Sequence, residues 1–385
     1  MKIVVDENMP HACELFAEFG EVVPLPGRQI AAADLQDAEV LLVRSVTRVD
    51  ARLLASCPRL AFVGTATIGT DHIDKALLAE RGIPFFSAPG CNKYSVGDYV
   101  LSALLVLAER HELNLSEMSL AVIGAGNTGE CVAGKAEALG MRVLRCDPPR
   151  ARREANAITT ANKGAEGAAG FVDYQTALSA DIVSFHVPLT REGCDATFHL
   201  LGEREIAAMP KGQFLINASR GEVWDNQALL ARQLGGEPLR LVMDVWEGEP
   251  EPLRALVPHT ELATPHIAGY SLEGKARGTW MLYQALCQQQ GRAPRQDLQA
   301  LLPAPEVREL TPGQATDQAL IKQLVHLIYD VRRDDARFRN RIDLPGSFDE
   351  QRKHYPERRE LSSLLVSGPF ASDLLARLGF VIRPI

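Results

Sequence analysis

The chain has 385 residues, of which 46% are hydrophobic, enough to build two or three globular domains. The formal net charge of -8 argues against a nucleic-acid binder that relies on a basic surface. Seven scattered cysteines without a C-x-x-C motif argue against a disulfide framework and a zinc site, so we expect a cytoplasmic protein with no bound metal. The early acidic residues argue against a signal peptide, and the most apolar stretch, 99–108, is too short to span a membrane.

The first ninety residues alternate between short apolar runs and helical periodicity, which is typical of an α/β domain. Apolar runs predict parallel strands at 2–5, 40–44, 60–64 and 83–87. Helices are predicted at 10–19 and 73–81, each followed by a glycine at a position that favours a C-cap. A long apolar helix, 94–114, then leads to the next domain.

The second domain repeats this alternation with more strands. Six strands are predicted, at 120–124, 142–146, 181–185, 213–217, 239–245 and 261–264. With helical spacers between them, this is the strand count of a doubly wound dinucleotide-binding domain. Residues 150–170 are rich in Ala, Gly and Arg without a clear period, and we predict a long surface loop there.

The last ninety or so residues differ in character. A helix is predicted at 318–329, a charged stretch follows at 332–341, and short strands are predicted near 364–366 and 380–382. This pattern indicates a small α+β domain.

The strand at 120–124 runs into a glycine-rich turn that opens a helix, with glycines at Gly124, Gly126 and Gly129. A strand, a G-x-G-x-x-G turn and a helix in this order predict a dinucleotide site, because the helix N-terminus binds the pyrophosphate. Asp147 ends the next strand, where a carboxylate binds the ribose and repels a 2′-phosphate. The sequence therefore favours NAD over NADP, although Arg145 and Arg150 nearby weaken that preference.

Three polar residues, Arg220, Glu249 and His266, follow strand ends in the second half of this domain. Ligands of open α/β sheets bind beyond the carboxyl ends of the strands, so we expect these side chains to converge. Oxidation of a 2-hydroxy acid removes the hydroxyl proton as hydride leaves the carbon, and His266 is the natural base. Glu249 would fix the imidazole tautomer, Arg220 would bind the substrate carboxylate, and Asp244 would hold the nicotinamide or its ribose.

The motifs resemble the D-isomer-specific 2-hydroxyacid dehydrogenase family. The matching segments lie between residue 1 and about residue 290, at 63–72, 122–129, 186–190, 217–221, 244–250 and 265–269. The resemblance implies an NAD-dependent dehydrogenase whose catalytic residues are Arg220, Glu249 and His266. It also implies cofactor contacts, beside the three motif glycines, at Asn127, Thr128, Asp147, Val187, Ala218, Ser219, Asp244 and Gly269.

Further segments, at 4–10, 43–47, 89–92, 266–278 and 324–335, are similar to a branch of the family that carries an additional C-terminal domain. This resemblance implies a small phosphorylated hydroxy acid as substrate, homodimerisation through the C-terminal domain, and substrate contacts at Ser45, Thr67 and Tyr270. The substrate phosphate also requires cations. Arg44, Arg48 and Lys93 are candidates, but solvated or structural roles are equally plausible for each.

We therefore predict an α/β protein of three domains. Residues 1–95 and 267–290 form a flavodoxin-like substrate domain, and residues 96–266 form a Rossmann-type doubly wound NAD-binding domain. Residues 291–385 form a small α+β dimerisation domain.

Two alternatives remain open at this point. The same chemistry acts on other acids in this family, such as 3-phosphoglycerate, glycerate or lactate. Corepressors that sense NAD share the fold and motifs yet act by binding partners, and turnover of a hydroxy acid distinguishes the two classes. The arginine-rich stretch 332–341 is interrupted by Asp334 and Asp335, so we interpret it as a subunit interface rather than a nucleic-acid patch.

Overall fold

Residues 1–160 and 170–384 are described by a computed structural model. The strands are β1 (Lys2–Asp6), β2 (Glu21–Leu25), β3 (Val40–Val43), β4 (Phe62–Thr65), β5 (Phe85–Ser87), β6 (Ser119–Ile123), β7 (Arg142–Cys146), β8 (Ile182–Phe185), β9 (Phe214–Asn217), β10 (Arg240–Met243), β11 (Leu262–Ala263), β12 (Glu309–Leu310), β13 (Leu365–Ser367) and β14 (Val381–Arg383). The helices are α1 (Ala12–Phe16), α2 (Lys75–Glu80), α3 (Lys93–Arg110), α4 (Asn127–Ala138), α5 (Pro148–Thr160), α6 (Tyr174–Leu178), α7 (Glu203–Ala208), α8 (Asn226–Leu234), α9 (Leu272–Gln289), α10 (Leu298–Leu301), α11 (Gln318–Ile328), α12 (Val331–Arg339), α13 (Ser347–Lys353) and α14 (Asp373–Leu378).

The chain folds into two compact units. The first unit comprises Met1–Lys93 and Tyr270–Ala304, and the second comprises Tyr94–Gly269 and Pro305–Ile385. The chain therefore passes from one unit to the other at three points. The C-terminal segment, residues 305–385, groups with the second unit, and its treatment as a separate domain stays a prediction.

The first unit contains a five-stranded parallel sheet in the order β2-β1-β3-β4-β5. This is the flavodoxin-like order that the sequence predicts, with all four expected strands present. The additional strand, β2, contains Pro24 and lies at the sheet edge, the position where a strand tolerates a residue without an N–H group. Apolar side chains from α1 and α9 cover one face, and a second apolar cluster covers the other.

The second unit contains a six-stranded parallel sheet in the order β11-β10-β9-β8-β6-β7. The six strands predicted from the sequence are all present, within two residues at each end. The strand order reverses between β6 and β8, and ligands of doubly wound sheets bind beside this reversal, at the carboxyl ends of the strands. The fold class is therefore a Rossmann-type α/β fold with a flavodoxin-like unit.

The C-terminal segment carries a small parallel sheet, β12-β13-β14, and the helices α11 to α14. The predicted helix and both short strands are present, and the charged stretch forms most of α12. Lys135 of α4 and Asp98 of α3 form a buried ion pair at 2.8 Å, and Lys135 also donates to the Leu378 carbonyl at the end of α14. A buried polar contact thus connects the C-terminal segment to α4, the helix that follows the glycine-rich turn.

The prediction of a loop over 150–170 is wrong for its first half, which lies in α5. The reason is local: Asp147 accepts a hydrogen bond from the Arg150 N–H at 2.9 Å and so caps the helix, and two prolines occupy the first turn, where they are tolerated. Arg150 and Glu154 then pair at 2.7 Å along the helix. Residues 161–169 lie outside the described part of the chain.

The longest helices are α3 and α9, each of 18 residues. The middle of α3 is buried throughout, which explains its apolar sequence. Among the described residues, no helix combines the length and apolarity that crossing a bilayer requires.

Candidate active site

The glycine-rich turn between β6 and α4 has the shape that a pyrophosphate requires. Gly124 has a φ of +91°, and a Cβ atom there would lie 2.8 Å from the His186 backbone. A Cβ atom on Gly129 would lie 2.0 Å from the Gly124 carbonyl oxygen, so α4 packs directly against the turn. A Cβ atom on Gly126, in contrast, would have no neighbour within 4 Å, and as the N-cap residue Gly126 offers no side chain to cap the start of α4. The turn therefore fits a dinucleotide phosphate at the end of α4.

Asp147 lies at the end of β7 and connects this turn to α5. Its Oδ2 atom accepts from the Ala125 N–H at 3.0 Å, and its Oδ1 atom accepts from the Arg150 N–H at 2.9 Å. Each carboxylate oxygen has two lone pairs, so both can accept another bond. Contact between Asp147 and the cofactor ribose stays a prediction that this geometry permits.

Both arginines beside Asp147 are neutralised by carboxylates. The Nε atom of Arg145 lies 3.0 Å from Glu130, and its Nη1 atom lies 2.8 Å from Glu137. Arg150 pairs with Glu130 and, at 2.7 Å, with Glu154. Neither guanidinium is therefore a free partner for a 2′-phosphate, which removes the objection to NAD that the sequence raised.

Arg220 follows β9 and is positioned by its neighbours in the chain. Asn217, the last residue of β9, accepts from both the N–H and the hydroxyl of Ser219 and donates to the Arg220 carbonyl at 3.0 Å. The Arg220 Nη1 atom donates to the Ser219 carbonyl at 2.8 Å. The half-buried guanidinium is thus held at the carboxyl edge of the sheet.

Glu249 and His266 form a close pair at the same edge. The Nδ1 atom of His266 lies 2.7 Å from Glu249 Oε2, and the other Glu249 oxygen accepts from the Trp246 N–H at 2.8 Å. Burial raises the pKa of a carboxyl group, but the charge of His266 and these two hydrogen bonds outweigh burial and hold the pKa of Glu249 below its ordinary value. An ionised Glu249 places the proton on Nδ1, which leaves Nε2 to act as a base.

The backbone of His266 has a φ of +58°, in the left-handed region that a residue with a Cβ atom rarely adopts. Asp244, at the end of β10, supports this turn. Its carboxylate accepts from the N–H groups of Ile267 and Ala268, at 2.8 and 2.9 Å, and from the Thr264 hydroxyl at 2.7 Å. Local strain held by surrounding contacts is common at functional sites.

Asp244 itself is 1% exposed. Burial raises the pKa of Asp244 above its ordinary value, against the opposite effects of His266 and of the hydrogen bonds that it accepts. The structure thus gives Asp244 a role that the sequence did not predict, as the support of the His266 turn. Its contact with the cofactor stays a prediction.

Arg358 of the C-terminal segment supports the same turn from the carbonyl side, and sequence reasoning missed it. Its Nη1 atom donates to the Ala268 carbonyl at 3.1 Å, its Nη2 atom donates to the Ser95 carbonyl, and its guanidinium lies 3.5 Å from the centre of the Tyr329 ring. Arg358 is 5% exposed. An arginine between Glu357 and Arg359 in a charged stretch gives no sign that it is buried, so only the fold reveals it.

The remaining predicted cofactor residues lie in the second unit as expected from their strands. Val187 follows β8 and comes within van der Waals range of Gly124, whereas Ala218 and Ser219 follow β9. Ser219 is buried, and Gly269 is the last residue before the chain enters the first unit. These contacts stay predictions.

The three predicted substrate residues belong to the first unit. Ser45 and Thr67 follow the paired strands β3 and β4, where Val43 lies beside Thr65. Ser45 is exposed, and the Thr67 hydroxyl donates to the Gly69 carbonyl at 2.9 Å. The ring of Tyr270 lies near the guanidinium of Arg44, the residue before Ser45. The first unit thus places the three at one end of its sheet.

Comparisons with known proteins identify the family of this chain. Residues 106–268 match the family model described as D-isomer specific 2-hydroxyacid dehydrogenase, NAD binding domain, and residues 301–379 match a model described only as a domain of unknown function. The chain is 85% identical to an erythronate-4-phosphate dehydrogenase of Aeromonas salmonicida over 384 residues, which is 100% of both chains. It is 60% identical to the enzyme of that name from Tolumonas auensis, over 99% of both chains.

A solved structure with the same fold is the D-lactate dehydrogenase from Aquifex aeolicus, complexed with NAD and lactic acid. It is 24% identical, with a TM-score of 0.58, and the match covers 76% of this chain and 96% of that one. At this identity the likeness shows the fold alone.

Proposed function

Because the chain belongs to the erythronate-4-phosphate dehydrogenase family, within the D-isomer specific 2-hydroxyacid dehydrogenases, we propose that it oxidises 4-phospho-D-erythronate to (R)-3-hydroxy-2-oxo-4-phosphooxybutanoate. The chain is an NAD-dependent dehydrogenase, and its glycine-rich turn fits that cofactor. The observation that carries the proposed chemistry is the 2.7 Å contact between Glu249 and His266 Nδ1. This contact prepares a base at a sheet edge where ligands of this fold bind.

Three side chains perform the proposed reaction. The Nε2 atom of His266 takes the proton of the C2 hydroxyl, and Glu249 stabilises the resulting imidazolium. Arg220 binds the substrate carboxylate through two parallel hydrogen bonds and so fixes the orientation of C2. Bound NAD supplies the hydride acceptor. The hydroxyl group thus loses its proton to His266, and C2 loses a hydride to NAD.

The position of the cofactor and the remaining substrate contacts form the second part of the proposal. The pyrophosphate binds at Gly124, Gly126 and the start of α4, and Asp147 accepts from the ribose hydroxyls. Ser45, Thr67 and Tyr270 contribute hydroxyl groups that suit a polyhydroxy acid.

A panel of substrates tests this function against the same chemistry on other acids. Purified protein with NAD is mixed with 4-phospho-D-erythronate, 3-phosphoglycerate, glycerate or D-lactate, and absorbance of NADH is followed with a trap for the oxo-acid product. We expect turnover of the erythronate phosphate alone. Turnover of another acid instead would discard the substrate and keep the mechanism, whereas NAD binding without any turnover would favour a protein that senses NAD.

We further propose that the reaction serves the biosynthesis of pyridoxal 5′-phosphate (vitamin B6) in the cytoplasm. Support comes from the similarity to erythronate-4-phosphate dehydrogenases along the whole chain. A strain that lacks this gene should need pyridoxine for growth, and a copy of the wild-type gene should remove that need. Growth without pyridoxine would contradict the assignment.

We also propose that the protein is a homodimer formed through its C-terminal segment. Support comes from exposed apolar side chains in that segment, including Leu327 at 43%, Leu344 at 56% and Val381 at 49% exposure. Such residues are often covered in an assembly. The interpretation of the arginine-rich stretch as part of a subunit interface belongs to this proposal.

A further inference from the structure

Two cationic side chains contact the ring of Tyr270 in the first unit. The Nζ atom of Lys275 lies 4.7 Å from the ring centre, and the Cζ atom of Arg44 lies 5.8 Å from it. Arg44 directly follows β3, and Lys275 lies in the first turn of α9. The fold thus brings two positive charges from distant parts of the chain to one aromatic side chain.

Three effects disfavour the charge of Lys275 at this place. Burial and the like charge of Arg44 together lower the pKa of Lys275 to about 8. The start of a helix also carries partial positive charge, which repels a cation. Glu273 lies in the same turn, but residues two apart on a helix do not face each other. A bound anion between Lys275 and Arg44 would offset all three effects.

Arg48, another candidate cation, lies in a different environment. The side chain of Arg48 is 84% exposed, and its Nε atom lies 3.4 Å from Asp50 Oδ2, so its charge already has a partner. Arg44 is half-buried, and its Nη1 atom donates to the Asn8 carbonyl at 3.4 Å, which orients the guanidinium beside Tyr270.

We propose that Arg44 and Lys275 bind the phosphate group of the substrate, with Tyr270 between them. This inference rests on the proposed function, since it assumes a phosphorylated hydroxy acid. Phosphate carries up to two negative charges at neutral pH and offers three terminal oxygens, which suits one guanidinium and one ammonium group. Destabilising charges that persist in a folded protein often mark a ligand site.

The first test uses inorganic phosphate alone, so that it does not depend on turnover. The full chain is saturated with NAD, which occupies the pyrophosphate site, and phosphate binding is measured by calorimetry for wild type, Lys275→Met and Arg44→Met. We expect each substitution to weaken phosphate binding by about tenfold or more, because each removes a charge-assisted contact. Arg48→Met is the matched control and should bind phosphate as the wild type does.

Thermal unfolding distinguishes loss of the site from loss of the fold. Without phosphate, Lys275→Met should unfold at a temperature no lower than the wild type, because it removes a buried and repelled charge. Added phosphate should raise the unfolding temperature of the wild type and of Arg48→Met, but not of Lys275→Met. A Lys275→Met variant that is less stable and still stabilised by phosphate would overturn the proposal.

The second test compares 4-phospho-D-erythronate with D-erythronate as substrates. The ratio of their kcat/KM values should fall by about tenfold or more in Lys275→Met and in Arg44→Met. If both variants keep the wild-type ratio while the phosphorylated acid is turned over, the phosphate site is wrong and the proposed function stands. If no erythronate is turned over but phosphate binding depends on Lys275 and Arg44, the site stands and the proposed substrate fails.

Discussion

Glu130 pairs with two arginines, Arg145 and Arg150, and so affects whether the site prefers NAD or NADP. Arg145 and Arg150 stand beside Asp147 in the sequence, where they weaken the predicted preference for NAD. In the structure both pair with Glu130, and each has a second carboxylate partner. The sequence identifies the charges but not their partners, because these partners lie up to 20 residues away in the chain.

Glu130→Gln should therefore reduce the preference for NAD over NADP by about tenfold, since it removes one of the two carboxylate partners of each guanidinium group next to the 2′-position. The ratio of kcat/KM for the two cofactors measures the effect. Glu80→Gln, which changes an exposed carboxylate of α2, is the control and should leave the ratio unchanged. Unaltered cofactor preference in Glu130→Gln would contradict the role of the pairing.

His186 makes a pH-dependent contribution to stability. It follows β8 and lies 2.8 Å from the Ser184 hydroxyl, and burial lowers the pKa of His186 from 6.5 to about 3. Between pH 6.5 and about 3, His186 therefore binds a proton in the unfolded chain but not in the folded chain. The stabilising contribution is complete above pH 6.5 and is lost as pH falls toward 3.

Between pH 6.5 and 3, His186 alone should lower the free energy of unfolding by about 1.4 kcal/mol for each pH unit. Urea unfolding of the wild type and of His186→Gln at several pH values tests this, because the difference between the two curves isolates the histidine. Parallel curves across this range would show that His186 titrates normally in the folded state.

Two elements of the fold hold the turn at residues 266–268, which carries His266. Asp244, which follows β10, accepts hydrogen bonds from the N–H groups of Ile267 and Ala268. Arg358 of the C-terminal segment donates to the Ala268 carbonyl. The same Arg358 donates to the Ser95 carbonyl, and Glu360 accepts from the Ser95 hydroxyl at 3.0 Å. The C-terminal segment therefore contacts Ser95 and Ala268, which lie close in sequence to the residues where the chain changes from one unit to the other.

Arg358 is thus a positioning residue, and its loss should affect kcat more than cofactor binding. Arg358→Met should lower kcat by about 100-fold, because small displacements of a catalytic group have effects of this size. The dissociation constant of NAD should change little, and Arg358→Lys should restore part of kcat. Arg383→Met, at an exposed ion pair of β14, is the control. Equal losses in kcat and in NAD affinity would indicate a general structural role instead.

Most elements of both sheets were predicted from the sequence, since buried parallel strands appear as short apolar runs. Sequence reasoning missed β2, because Pro24 interrupts the short apolar run of this edge strand. It misjudged α5, because the helix is defined by a cap at Asp147 and by charge pairs rather than by an apolar face. Arg358 and Lys275 were beyond its reach, since their surroundings come from segments far apart in the chain.

At the scale of the whole molecule, the proposed dimer has a direct measurement. Sedimentation equilibrium should give a mass about twice that of the 42.1 kDa chain. Leu344→Asp combined with Leu327→Asp should shift the protein toward monomer, because it charges the exposed apolar positions of the C-terminal segment. Leu234→Asp changes a leucine that is 66% exposed outside this segment and should leave the mass unaltered. A wild-type mass of one chain would rule out the dimer.

NADH formation from 4-phospho-D-erythronate tests whether Arg220, Glu249 and His266 are the catalytic residues. Wild type, Arg220→Ala, Glu249→Gln and His266→Ala are compared under saturating NAD, with NAD binding measured separately by fluorescence. We predict that His266→Ala and Arg220→Ala lose about 1,000-fold or more in kcat/KM, and that Glu249→Gln loses less, while all three still bind NAD. Near-wild-type turnover in His266→Ala with intact NAD binding would contradict the role of His266 as the base.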